Sequence, residues 1–181
     1  MKRLAAVALF ALVAACSPKP AATPAPEAKA ADSAPAVPAN GPEAAVAVIY
    51  KTLVDSKGQK TTPVSDIPMT ADLDALLKKV QAASPSDGDA PVFDGDLAGN
   101  CQDCSDFGDL KVELSKAAAP QGHTLVDAHF TLFKTEPHTV TWDMVETPEG
   151  WRVDNIVEGT DFDARKIANE GIAAAAKTKA K

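Results

Sequence analysis

The sequence predicts an α+β domain, in which N-terminal helices pack on one face of an antiparallel sheet of about four strands. Two observations support this fold class. Two segments with helical spacing of apolar residues come first, and a run of alternating polar and apolar residues follows between His123 and Val157. Helices followed by a block of strands are typical of α+β domains, where the helices cover one side of the sheet. About 130 residues carry these patterns, enough for one hydrophobic core.

The alternating run predicts three strands, over His123–Phe133, His138–Thr147 and Trp151–Val157. Successive side chains of a strand point to opposite faces, so each strand has one apolar and one mostly polar face. Such strands form antiparallel sheets with one packed and one solvated side. We expect a bulge or end twist near Asn155, because Ile156 would otherwise leave the apolar face. A shorter strand over Leu110–Lys116 precedes them.

Helices are predicted on both sides of this block, over residues 43–56 and 70–83 before it and 161–176 after it. In the first helix, apolar residues that include Tyr50 fall at helical spacing, and Gly58 ends the helix. Thr70 is a suitable N-cap for the second helix. In the last helix we expect the three large apolar side chains to face inward, namely Phe162, Ile167 and Ile172.

The N-terminus carries an export signal. Lys2 and Arg3 precede an uncharged run of 12 residues, which is too short to span a bilayer and is typical of a signal peptide over residues 1–15. The segment Leu12–Cys16 resembles a bacterial lipobox. That resemblance implies that Cys16 receives acyl chains, including palmitate, and anchors the mature protein in a membrane. An ordinary cleaved signal peptide with a coincidental cysteine is the alternative.

The resemblance to lipoproteins also implies a location. Ser17 rather than an aspartate follows the cysteine, which in Gram-negative lipoproteins implies an outer-membrane protein facing the periplasm. Residues 16–42 form a Pro/Ala-rich linker that favours extended, polyproline-like conformations. Residues 177–181 form a frayed basic tail. The formal charge is −7, and −9 after loss of Lys2 and Arg3, so the protein has no electrostatic reason to bind nucleic acid.

The folded part resembles secreted bacterial proteins of the DUF3828 type, which are similar to the NTF2-like, cystatin-like folds. The resemblance rests on an early helix carrying Tyr50, a Leu-rich second helix, the segment Cys101–Asp103 and the hairpin Glu149–Ile156. It covers roughly residues 43–160 and implies a strongly curved sheet that wraps the helices around a conical pocket. It implies no established activity. Some NTF2-like proteins isomerise or hydrolyse small molecules, while many bind ligands or act as scaffolds.

Two features of the acidic loop between the second helix and the sheet are candidate sites. Cys101 and Cys104 are expected to form a disulfide in an oxidising envelope compartment, with redox activity, a metal site and free thiols as alternatives. Asp94, Asp96 and Gly99 imitate the start of a calcium-binding EF-hand loop, in which Asp94, Asp96 and Asn100 are the candidate ligands. The imitation fails at Ala98 and Ser105, where ligands are needed, so a solvated loop with local turns is the favoured interpretation.

The candidate acid–base residues are Asp127 and His129, with Asp143 on the next strand. Alternation places all three on the solvated face, away from any pocket. Tyr50 is expected to be a core residue with a satisfied hydroxyl, while His123 and His138 are expected to be surface residues. No cofactor is predicted. The sequence therefore favours an envelope lipoprotein that binds a protein or a small molecule without catalysis, with a pocket enzyme using Asp127 or His129, or a structural protein, as the alternatives.

Overall fold

The sheet is an antiparallel meander of five strands in the order β1-β2-β3-β4-β5. It is seen in a computed structural model that describes residues 41–83, 93 and 95–179. The strands are β1 Gly108–Leu114, β2 His123–Leu132, β3 Glu136–Thr147, β4 Gly150–Glu158 and β5 Phe162–Asp163. The first four match the predicted strands to within two residues at each end. The short β5, which was not predicted, pairs with the end of β4.

The two faces of the sheet separate as the alternation predicts. Val126, Phe130, Trp142 and Met144 are all 2% exposed or less and form the centre of the core. The polar residues between them, including Asp127, lie on the other face and are half-buried by their strand neighbours. The sheet therefore has one packed side and one open side.

A β-bulge interrupts the pairing of β3 with β4. Asp143 pairs with Asn155 while Met144 pairs with Val153, so Asp154 has no partner across the ladder. Because of this extra residue, Val153 and Ile156 both point inward, and both are fully buried. The bulge expected near Asn155 is therefore confirmed.

The helices ahead of the sheet are α1 Pro42–Ile49, α2 Lys51–Ser56 and α3 Ala71–Ala83, with a 3₁₀ turn at Val64–Asp66. The single helix predicted over residues 43–56 is wrong, because the helix is interrupted at Tyr50. The Tyr50 side chain is fixed in the core by two hydrogen bonds. The predicted cap of α3 is confirmed, since Thr70 Oγ1 accepts a hydrogen bond from the Leu73 N–H at 3.2 Å.

The last helix, α4, spans Ala164–Lys179 and packs against α3 and β4. Its buried residues are the small Ala164 and Ala168, which permit close approach to the core, and Ile172 packs at the edge of the same cluster. The expectation for Ile167 is wrong, because it lies outside the core cluster, about 100° around the helix axis from Ala168. Phe162 packs against the core as expected, but it belongs to β5 and not to the helix. The helix also includes residues 177–179 of the predicted basic tail.

The described residues belong to one compact unit, Pro35–Lys181. The predicted signal peptide over residues 1–15, Cys16, the linker up to residue 40 and Asp94 lie outside the described residues. Among the helices that are described, none combines the length and the apolar character needed to cross a membrane.

Candidate functional site

The space between helices and sheet, where an NTF2-like pocket is expected, is occupied by aromatic rings around Tyr50. Its ring centroid lies 5.9 Å from that of Phe107, 5.7 Å from Phe130 and 5.8 Å from Trp142. The hydroxyl donates to the Ala98 carbonyl at 2.7 Å and accepts from Trp142 Nε1 at 3.1 Å. Burial raises the pKa of Tyr50 well above its ordinary value of 10.0, although the hydrogen bond from Trp142 acts in the opposite direction. Tyr50 is thus a core residue with a satisfied hydroxyl.

The carboxylate of Asp96 stabilises the loop that contains the candidate calcium ligands. Its Oδ1 accepts hydrogen bonds from the N–H groups of Ala98 at 2.7 Å and Gly99 at 2.8 Å, and its Oδ2 accepts one from the Thr62 N–H. Asn100 donates instead to Glu158 at 2.6 Å. Asp96 is 2% exposed, and the described part of the chain gathers no metal-ligand cluster around it. This arrangement matches a loop organised by local turns.

Cys101 and Cys104 are joined by a disulfide in the same loop, with their Cα atoms 5.5 Å apart. Cys104 is 3% exposed. Its carbonyl lies against Gly58 at the end of α2, so closely that a Cβ on Gly58 would stand 1.7 Å from the oxygen. The disulfide therefore fixes a loop that packs directly on the amino-terminal helices.

Asp127 and His129 lie on the open face of the sheet. Asp127 Oδ1 accepts a hydrogen bond from Thr141 Oγ1 at 2.8 Å. His129 Nδ1 is 2.9 Å from Thr139 Oγ1, and its Nε2 is 3.4 Å from Glu113 Oε1, with the side chain 39% exposed. Both side chains thus bond to neighbours across the strands on the face opposite the core.

The same face carries a cluster that the sequence did not reveal. His123 of β2, Asp143 of β3 and Asp154 of β4 each present one donor atom, and the three atoms lie within 4.8 Å of one another. His123 Nδ1 is 2.7 Å from Asp143 Oδ1. The register of the β2–β3 and β3–β4 pairs is the signal that could have found it, because the register brings His123, Asp143 and Asp154 to the same part of the open face.

Asp154 is held by residues from two helices. Its Oδ1 accepts from Arg165 Nη2 at 2.5 Å and from Thr70 Oγ1 at 2.8 Å. The Arg165 Nε also donates to the Asp154 carbonyl at 2.5 Å. These contacts fix the carboxylate of Asp154 where β4, the start of α3 and the start of α4 meet.

His123 and His138 are partly exposed, so the expectation that they are surface residues holds in part. The side chain of each is 26% exposed and is paired with a carboxylate. His138 Nδ1 is 2.8 Å from Glu158 Oε1, and its ring stacks on Phe130 with the centroids 5.6 Å apart. The location of the two histidines near strand ends does not predict these partners. Glu158 lies on β4, and only the register between β3 and β4 brings it close to His138.

A groove of about 560 Å³ lies between the start of α3 and the β3–β4 hairpin. Its apolar lining is Val64, Ile67, Met69 and Ala71, and its acidic groups are Asp74, which pairs with Lys78, and Glu149. Its cationic group is Arg152, which is half-buried and makes no ion pair or side-chain hydrogen bond with any of the described residues. Backbone hydrogen bonds of 2.8 Å fix the groove wall, since Thr70 N donates to Val153 O and Val153 N donates to Pro68 O.

Comparison with known proteins adds little. No family model matches the chain, and no curated protein matches it. A solved structure of a phospholipid-binding protein from Ralstonia solanacearum, in complex with a phospholipid, shows partial similarity. It has a TM-score of 0.34 and 15% identity, over 61% of this chain. The match spans about half the length of that protein, 56%.

Proposed function

We propose that this chain is a lipid-anchored envelope protein whose folded domain binds a small anionic amphiphile without catalysing a reaction. The anchor part of the proposal rests on residues outside the described range. A short basic start, an apolar run and a lipobox ending at Cys16 are followed by a Pro/Ala-rich linker, and this order is that of a tethered lipoprotein.

The binding part depends on one observation, the position of Arg152. Arg152 is half-buried, and none of the described residues pairs with its guanidinium, which leaves that cation available to an anionic group. It lies on a groove whose volume falls within the usual range of ligand sites, about 300–1,000 Å³. Arginine binds carboxylate and phosphate through two parallel hydrogen bonds. A ligand with one such group and a short apolar chain matches both parts of the groove.

The absence of catalysis in this proposal is supported by the core. The interior that would hold a reaction pocket contains Tyr50 and its aromatic neighbours, and the Tyr50 hydroxyl makes both of its hydrogen bonds within the protein. Asp127 and His129, the acid–base candidates, lie on the opposite face. A base must lie within hydrogen-bonding reach of a bound substrate, and these two side chains instead face solvent and strand neighbours.

Binding can be tested with three water-soluble probes of equal chain length, octanoate, octyl phosphate and octyltrimethylammonium. The full chain is placed in phosphatidylcholine nanodiscs, and titration calorimetry is run against empty nanodiscs. We expect the two anionic probes to bind and the cationic probe not to bind. Arg152→Gln should weaken anion binding about tenfold or more, since charge-assisted hydrogen bonds contribute about 1.5–3 kcal/mol, while Arg152→Lys should retain part of it.

Two results would overturn the binding proposal. Equal binding of the cationic and anionic probes would show that Arg152 does not select the ligand. No binding of any probe by the folded protein would favour a structural role in the envelope.

The anchor is tested separately, by growing a Gram-negative bacterium that expresses the full chain with an alkyne analogue of palmitate. We expect the label on the wild-type chain and its loss in Cys16→Ser, because only the thiol accepts the first lipid. Labelling of Cys16→Ser at the wild-type level, or a wild-type chain without label that fractionates with soluble proteins, would contradict the lipidation.

A further inference from the structure

We infer that His123, Asp143 and Asp154 form a binding site for a divalent transition-metal ion on the open face of the sheet. Their donor atoms lie within 4.8 Å of one another, and they come from three adjacent strands. They are the one group of at least three such residues that the described part of the chain brings together. The site is distinct from the groove and does not depend on its ligand.

The donor set fits a metal that accepts nitrogen as well as oxygen. One imidazole and two carboxylates suit Zn²⁺ or Mn²⁺, whereas Mg²⁺ and Ca²⁺ are bound mainly by oxygen. Zinc binds such atoms at about 2.0–2.2 Å in tetrahedral geometry, which places neighbouring donor atoms about 3.3 Å apart. The spacing here, from 2.7 Å for His123–Asp143 up to 4.8 Å, brackets that value.

Two carboxylate oxygens are available to an ion. Within the described part of the chain, no hydrogen bond is made to Asp143 Oδ2 or Asp154 Oδ2, and His123 presents Nδ1 towards Asp143. His123 Nδ1 and Asp143 Oδ1 bond to each other, and an ion replaces that single bond with two stronger ones. The cluster therefore has free coordination capacity while its members are already close together.

The residues around the cluster shield it partly from water and hold Asp154 in place. The side chains of His123, Asp143 and Asp154 are 26%, 15% and 20% exposed, so they are partly shielded from water while an opening to solvent remains. Arg165 and Thr70 fix Asp154 through Oδ1, as outer partners of metal-binding carboxylates do. Arg165 also offsets one of the two carboxylate charges, so the cluster carries about one net negative charge for a divalent cation.

The third ligand, Asp154, lies at the bulge. In a regular strand Asp154 and Asn155 point to opposite faces, and only one of them can neighbour Asp143. The inserted residue turns both to the open face. Bulges are frequent next to functional sites because they redirect a side chain in this way. Thr70, which caps α3, and Arg165 of α4 both donate hydrogen bonds to Asp154 and hold its carboxylate at the bulge.

Zinc titration of the full chain tests the inference, in phosphatidylcholine nanodiscs without reductant so that the Cys101–Cys104 disulfide stays closed. We expect one Zn²⁺ per chain in isothermal calorimetry and weaker binding of Mg²⁺ and Ca²⁺ by at least tenfold. His123→Ala and Asp143→Asn should each weaken zinc binding tenfold or more. The matched controls are His129→Ala and Asp127→Asn, which change the same residue types on the same face and should stay within twofold of the wild type.

Circular dichroism separates loss of the site from loss of the fold. Asp143→Asn preserves shape and one acceptor oxygen, so it keeps the test valid if His123→Ala fails to fold. Two results would overturn the inference: a folded wild-type chain that binds no zinc, or controls that weaken binding as much as the ligand variants, which would indicate only adventitious surface binding.

Discussion

Trp142 Nε1 donates a hydrogen bond to the Tyr50 hydroxyl at 3.1 Å, and both side chains are fully buried. The same hydroxyl donates to the Ala98 carbonyl at 2.7 Å. One oxygen atom thus connects the amino-terminal helices, the disulfide-bearing loop and the central strand of the sheet.

Removing that oxygen should destabilise the whole domain. In Tyr50→Phe the Trp142 N–H and the Ala98 carbonyl both lose their partner inside the core, and we expect the free energy of unfolding to fall by about 1–3 kcal/mol. Urea unfolding followed by tryptophan fluorescence measures this change. Phe133→Leu is the control, because Phe133 is 44% exposed and its change should stay within about 0.5 kcal/mol. Equal stability of Tyr50→Phe and the wild type would contradict the role of the hydroxyl.

Alkaline pH should unfold the domain through the same residue. Burial raises the pKa of Tyr50 above its ordinary value of 10.0, so the folded state keeps its proton at a pH where the unfolded state has lost it. The stability that this provides is complete below pH 10. Above it, as the pH rises towards the folded-state pKa, the free energy of unfolding falls by about 1.4 kcal/mol per pH unit.

The chain has a single tyrosine, so tyrosinate absorbance reports on Tyr50 alone. We expect ionisation and loss of the folded circular dichroism spectrum to occur together above pH 10. Ionisation near pH 10 with the fold intact would show that the hydroxyl is accessible to solvent.

Replacing Gly58 by alanine should be much more costly than the same change at Gly122. The two glycines have nearly equal φ, +78° and +81°, so both substitutions carry the strain of a left-handed backbone, about 1–2 kcal/mol. A Cβ at Gly58 meets the Cys104 carbonyl at 1.7 Å, whereas one at Gly122 meets nothing within 4 Å. Overpacking should add about 1–3 kcal/mol at Gly58. Thermal unfolding of both variants gives the difference, and equal costs would contradict the close contact.

Asp96→Asn should weaken the loop. The carboxylate accepts three backbone N–H groups, and an amide in its place directs a donor towards one of them. We expect a loss of about 2–3 kcal/mol in the free energy of unfolding. Asp103→Asn is the matched control, because Asp103 is exposed and accepts both of its hydrogen bonds from Ser105 through Oδ1, which asparagine retains. If both variants are as stable as the wild type, Asp96 does not organise the loop.

The sheet could be predicted from the sequence because period-two alternation records which side of each strand is buried. The inward positions of Val126, Phe130 and Trp142 follow directly from it. The bulge could also be predicted, since Val153 and Ile156 are both apolar and three residues apart, a spacing that a regular strand cannot bury on one face.

The candidate sites could not be predicted in the same way. The cluster of His123, Asp143 and Asp154 depends on the register among three strands, and alternation alone assigns each residue only to a face. The break at Tyr50 was missed because its apolar stripe continues across it, and it is set by contacts with Ala98 and Trp142. The groove around Arg152 could not be predicted, because its apolar lining, Val64, Ile67 and Met69, is far away in sequence.

The order of the strands has a consequence for folding. Each strand pairs with its neighbour in sequence, so the sheet can form by successive local hairpins. Tyr50, however, finds its partner Trp142 only 92 residues later. The first helices can pack on β1 and β2, but their core stays incomplete until the third strand joins, and the partly folded amino-terminal half exposes apolar surface that chaperones can shield.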